Sequence, residues 1–126
     1  MQEIKLLENI VSALEDKKGK DIITLDVREK TTLCDYFVIA GASSSSQVRA
    51  LAEGVDQKLS KLGIEKRRAE GISEGRWVVL DYADVIVHIF HDETRLFYHI
   101  ERLWADAPAV DAAPKAALAE SETEQE

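Results

Sequence analysis

The side chains able to carry nucleophilic chemistry are the serine run Ser43 to Ser46, Cys34, and the histidines His88, His91 and His99. Nucleophilic catalysis needs a hydroxyl or thiol beside a base, and no nucleophile elbow surrounds any of these residues. Serines at the start of a helix serve as caps, their hydroxyls taking up N–H groups that the first turn leaves unpaired. Cys34 lies beside an apolar run and reads as a small, semi-buried hydrophobe rather than a reactive thiol. A metal centre would need ligands grouped by spacing. His88 and His91 straddle a strand end and His99 sits in the next element, so the three read as unrelated histidines. Asp81 and His88 fall on one sheet face as diagonal neighbours about 7 to 8 Å apart, within reach of an interaction but with no third partner to form a relay.

Phosphoryl transfer is a separate possibility, because an apolar strand runs into Gly41, Ala42 and Ser43 at a helix start, where backbone amides can cradle phosphate. Two-metal transfer also needs acids converging from one strand face. No closely spaced D-x-D pair follows the second helix, and Asp81 and Asp84 are split by a turn. These residues predict no enzyme and no cofactor, and point instead to a protein that binds another macromolecule.

The elements that position these residues follow from periodicity. Ile4, Leu7, Ile10, Val11 and Leu14 recur at helical spacing, and the helix stops in Asp16, Lys17, Lys18, Gly19. Residues 21–27 and 36–40 are short apolar, β-rich runs joined by a polar connection, and read as the first two strands. After the serine caps, Val48, Leu51, Ala52, Val55, Leu59 and Leu62 form a helical stripe that Gly63 terminates. Residues 66–70 are expected to form an edge strand, followed by a turn around Gly71 and Gly75. A last helix is expected from Asp92 or Thr94, with Leu96, Phe97, Ile100, Leu103 and Trp104 on one face. The order αββαβββα predicts an α/β fold, a mixed sheet with helices packed on it.

Between the edge strand and the last helix, residues 77–82 and 85–90 are two strand patterns separated only by Ala83 and Asp84, the spacing of a two-residue hairpin. The register follows: Tyr82 pairs with Val85, Asp81 with Ile86, Leu80 with Val87, Val79 with His88, Val78 with Ile89 and Trp77 with Phe90. One face then carries Val78, Leu80, Tyr82, Val85, Val87 and Ile89 and should pack on helices. The other carries Trp77, Val79, Asp81, Ile86, His88 and Phe90, too aromatic for an idle surface. Either the domain's own last helix covers this second face and leaves only Trp77 partly exposed, or a partner does; with Tyr82 and Asp84 reaching out from the turn, the face is expected to be the partner-binding site.

Bulk properties fit one domain. The chain has 126 residues, 45% hydrophobic and 32% charged, enough for one core and too few for two. One cysteine excludes an intrachain disulfide framework. The start lacks the basic region and apolar stretch of a secretory signal and is acidic for a transit peptide, and no run of about 18 apolar residues could span a membrane. A cytoplasmic protein is expected. Residues 106–126 hold six acids and one lysine, a net −5 that leaves −3 for residues 1–105. The domain is therefore expected over 1–105 with a flexible acidic tail over 106–126. Free nucleic acid does not suit so acidic a chain as its sole ligand, whereas a basic protein surface does.

Four blocks, DIITLDV (21–27), CDYFVIAGASSSSQVRALA (34–52), AEG (69–71) and WVVLDYADVIVHIFHDETRLFYHIERLW (77–104), resemble the ribosomal silencing factor family, also called Iojap-like. The resemblance runs in continuous order over about residues 2 to 105. It implies a nucleotidyltransferase-like fold without catalytic acids. It also implies binding to the large ribosomal subunit through ribosomal protein fourteen, where the small subunit would dock, so that subunit joining and translation are blocked. A homodimer is further implied. Organellar relatives, linked to large-subunit assembly, suggest an assembly factor as the alternative, and a nucleotide-dependent transferase stands behind both. The family's turn reads D-x-G-D-V, where this chain has Ala83 in place of glycine, at a position expected to need positive φ.

Overall fold

The computed structural model describes residues 2–94. Helix α1 spans Gln2–Asp16, and Leu7, Ile10, Val11 and Leu14 form its buried face. Its end is a Schellman closure: Lys18 N–H donates to Glu15 O at 2.9 Å and Gly19 N–H to Leu14 O at 2.8 Å. The left-handed residue is Lys18, at φ 65°, one position before Gly19.

Strands β1 (Lys20–Asp26) and β2 (Tyr36–Ala42) follow, then helix α2 (Ser45–Lys61), β3 (Arg68–Glu70), β4 (Trp77–Asp81) and β5 (Val85–His91). They form one five-stranded sheet in the order β1-β2-β5-β4-β3. β2 and β5 are parallel, and the other three pairings are antiparallel. The expected mixed sheet with helices packed on it is therefore what forms. All seven residues of β2 are buried, as a strand covered on both faces requires.

The hairpin register matches the expected one at all five β4–β5 pairs, from Trp77 opposite Phe90 to Asp81 opposite Ile86. The edge strand is shorter than expected, starting at Arg68 rather than Lys66. β3 pairs with β4 only as far as Asp81, where β4 ends in its turn, so residues 66–67 have no further strand to follow. Arg67 N–H still donates to Asp81 O at 2.7 Å.

Helices α1 and α2 cover one face of the sheet, where Val78, Leu80, Tyr82, Val85, Val87 and Ile89 join the helix stripes in the main core. Each such buried aliphatic side chain contributes about 1.5 to 3 kcal/mol through burial. The opposite face has a second apolar cluster, with Leu25, Val27, Cys34, Phe37, Ile39 and Phe90 at its centre. Residues 92–94 are helical, where the last helix was expected to begin. Leu96, Phe97, Ile100, Leu103, Trp104, His99 and the tail 106–126 lie outside the described residues.

Candidate functional site

The register sets out the second face in rows across the sheet. Leu25, Phe37, Ile86, Asp81 and Arg68 stand in one row, and Ile23, Ile39, His88, Val79 and Glu70 in the next. A third runs through Gly41, Phe90 and Trp77. The face is apolar over β1, β2 and β5 and turns polar at β3.

At its centre sits an aromatic group. Trp77 and Phe90 lie 4.9 Å apart with rings tilted by 30°, and His88 meets the edge of Phe37 at 4.8 Å. The Trp77 Nε1–H donates to His88 Nδ1 at 3.2 Å. That bond places the imidazole proton on Nε2, which is buried with no partner among the described residues. Burial pushes His88 down to about 4, so the ring stays neutral near pH 7.

The expected site residues separate by depth. Phe90 and His88 correct their expectation as partner contacts: they are 0% and 7% exposed, and they touch Trp77 instead. Trp77, Val79, Asp81 and Ile86 are half-buried, and Asp84 is exposed. Tyr82 corrects its expectation: it is 5% exposed and belongs to the helix-side core, so it does not reach out from the turn. Alternation required this, since Tyr82 shares a face with Val78 and Leu80. Its hydroxyl is buried with no partner among the described residues, and burial, with the Asp56 and Glu65 carboxylates adding to it, pushes the phenol well above its usual range.

Asp81 is turned into the hairpin. Its Oδ1 accepts from Ala83 N–H at 2.8 Å, and its Oδ2 lies 3.8 Å from Arg68 Nη2. The turn closes through Tyr82 N–H on Val85 O and Asp84 N–H on Tyr82 O, both at 2.9 Å. Ala83 takes φ 75°, which with the three-residue hydrogen bond marks a γ-turn of the strained hand. Of the two diagonal neighbours of His88, Trp77 and Asp81, only Trp77 bonds it, because the Asp81 carboxylate is committed to the turn. The Trp77–His88 bond was open to sequence reasoning, since the register makes both residues neighbours, but it does not choose between the diagonals.

Trp77 is also held from behind. Gly71, at φ 83°, crosses so close that a Cβ there would stand 2.1 Å from Trp77 O. No other residue fits. Arg49 Nη1 donates to Ser73 O at 3.2 Å and ties the same loop to α2.

The other candidate centres resolve into structural roles. Ser44 Oγ caps α2 by accepting from Gln47 N–H at 3.1 Å. Gln47 Oε1 takes the Ser43 N–H at 3.0 Å, and Gln47 Nε2 donates to Lys18 O at 3.1 Å. Gly41 and Ala42 belong to β2, so the amides of a phosphate cradle are spent in the ladder and the cap. Cys34 is buried, its Sγ donating to Tyr36 O at 3.5 Å, and burial pushes the thiol up to about 11. Among the described residues no group of three or more His, Cys, Asp or Glu could hold a metal, and no helix is long and apolar enough to cross a membrane.

Residues 1–126 match the family described as "Ribosomal silencing factor during starvation". Ribosomal silencing factor RsfS of Chromobacterium violaceum is 43% identical over 104 residues, 82% of this chain and 84% of the relative. Its Bacillus subtilis namesake is 38% identical over 111 residues, 88% of this chain and 94% of the relative. The mouse protein named "Mitochondrial assembly of ribosomal large subunit protein 1" is 26% identical over 101 residues, 78% of this chain and 44% of its own length. A Chromobacterium violaceum crystal structure superposes with a TM-score of 0.77 at 43% identity, covering 83% of this chain and 86% of that one. The extent of these matches places the chain in one family: it belongs to the ribosomal silencing factors.

Proposed function

We propose that this chain is a translational repressor of the cytoplasm that binds the large ribosomal subunit through ribosomal protein fourteen and bars the small subunit from docking. Repression by occupation needs no turnover, and the protein is a binding module rather than an enzyme. The observation that carries this reading is the half-buried Trp77, fixed by the His88 hydrogen bond and the Phe90 ring at the margin of an aromatic sheet face. A large ring held in place loses little freedom on binding and makes a good anchor. Asp84, exposed at the turn, and the half-buried Asp81 add negative charge that suits a basic ribosomal protein.

Trp77→Ala is expected to weaken binding to purified large subunits by about 2 kcal/mol, with Asp81→Ala smaller and salt-sensitive. Circular dichroism of the same samples should show a folded domain. Normal binding by a folded Trp77→Ala protein would move the interface elsewhere. An assembly factor is the second reading, favoured by the name of the mouse relative. Gradient fractionation separates the two: a repressor travels with mature free large subunits, an assembly factor with immature particles. A weak to moderate homodimer that competes with subunit binding is also expected, and a monomer throughout the micromolar range by sedimentation would refute it.

A further inference from the structure

The loop between β1 and β2 presents an apolar side chain that the fold does not use. Leu33 is 77% exposed, more than any other large hydrophobic residue among those described. A lone exposed leucine is ordinary, so what matters is how this one is held and what surrounds it.

The loop is closed by Val27 N–H on Asp35 O at 2.9 Å and by Lys30 and Thr31 N–H groups on Val27 O, each at 3.0 Å. Leu33 N–H donates to Thr31 Oγ1 at 3.1 Å, and the next residue, Cys34, is buried in the second apolar cluster. Leu33 is therefore displayed on a fixed backbone. The loop is also joined to the hairpin turn, because Asp84 O accepts from Asp35 N–H at 2.8 Å and Tyr36 N–H at 3.1 Å. Loop and turn thus form one ridge at the end of the sheet. Once Asp26 and Arg28 are set aside as a mutually neutralising pair, its acids are Glu29, Asp35 and Asp84 against the one base Lys30. Arg28 is spent on Asp26, with Nη2 to Oδ2 at 2.6 Å.

We propose that Leu33 is a second anchor of the docking surface, an apolar side chain on an acid-rimmed ridge that seats in an apolar depression of a basic protein. This rests on the docking function proposed above and extends its surface from the hairpin face to the β1–β2 loop. The acids disfavour an RNA backbone as the occupant.

Exposure makes the test clean, since Leu33→Ser removes no core contact and should leave the melting temperature unchanged. Affinity for purified large subunits, and for isolated ribosomal protein fourteen, should fall about tenfold. Leu62→Ser, equally apolar and 54% exposed at the end of α2, should bind as the wild type does. Trp77→Ala is measured alongside. If Leu33→Ser binds normally while Trp77→Ala does not, the loop lies outside the interface and the proposal fails alone. If Leu33→Ser loses binding and Trp77→Ala does not, the loop anchor stands and the hairpin reading falls. If Leu33→Ser abolishes self-association in sedimentation but leaves subunit binding intact, Leu33 serves a second copy of the chain and the proposal is overturned.

Discussion

His88 joins stability to pH in a direction that its environment dictates. Burial lowers it from 6.5 to about 4, so the folded state refuses a proton that the unfolded chain accepts. Above pH 6.5 both states are neutral and the effect is absent. As pH falls from 6.5 toward 4 the unfolded state alone gains the proton, so stability declines, and the decline levels off below 4. The full loss is about 3 kcal/mol. His88→Gln keeps an acceptor for Trp77 and cannot titrate, so thermal melts between pH 7 and 4 should show a shallower decline than the wild type. An unchanged slope would assign the acid sensitivity to other groups. At this scale the sequence reveals types but not choices. Cys34 and the serine caps are legible from neighbours and helix chemistry, whereas the preference of His88 for Trp77 depends on a carboxylate already taken by the turn.

Among the elements, the hairpin was the most legible, because a two-residue gap and strict alternation leave one register. The strand order was not, because placing β5 between β2 and β4, parallel to β2, is a non-local pairing that leaves no mark on periodicity. Nor was the irregularity in β1, where Asp21 takes φ 49° and the register with β2 shifts. At the hairpin turn, the expected positive φ is kept by Ala83 without a glycine. Relieving that conformation is worth about 1 to 2 kcal/mol, while glycine costs about 0.4 to 1 kcal/mol through the unfolded chain. Ala83→Gly should therefore stabilise the protein by about 0.5 kcal/mol, read as a small rise in the midpoint of urea unfolding. Gly71→Ala should act oppositely and more strongly, costing about 2 kcal/mol or more because the new Cβ meets the Trp77 carbonyl. A Gly71→Ala protein as stable as the wild type would mean that the loop relaxes away from β4, and its binding to large subunits would then show whether Trp77 moved with it.

For the whole molecule, the negative charge is concentrated at one end, with a net −5 over residues 106–126 against −3 over residues 1–105. Removing residues 106–126 takes away a net −5 and almost no large apolar side chains, so melting temperature and subunit binding should stay nearly unchanged. A large loss of either would give the tail a role that its composition does not suggest. The family was legible because the hairpin, its turn and the following block are continuous in sequence, whereas the partner was not, since an interface is recorded in no single residue pattern. Exclusion of the small subunit is measured directly by subunit joining. Large subunits saturated with the protein, mixed with small subunits and resolved on a gradient, should yield free subunits in place of joined ribosomes, and Trp77→Ala at the same concentration should restore joining. Full joining with the wild-type protein still bound to the large subunit would contradict exclusion of the small subunit.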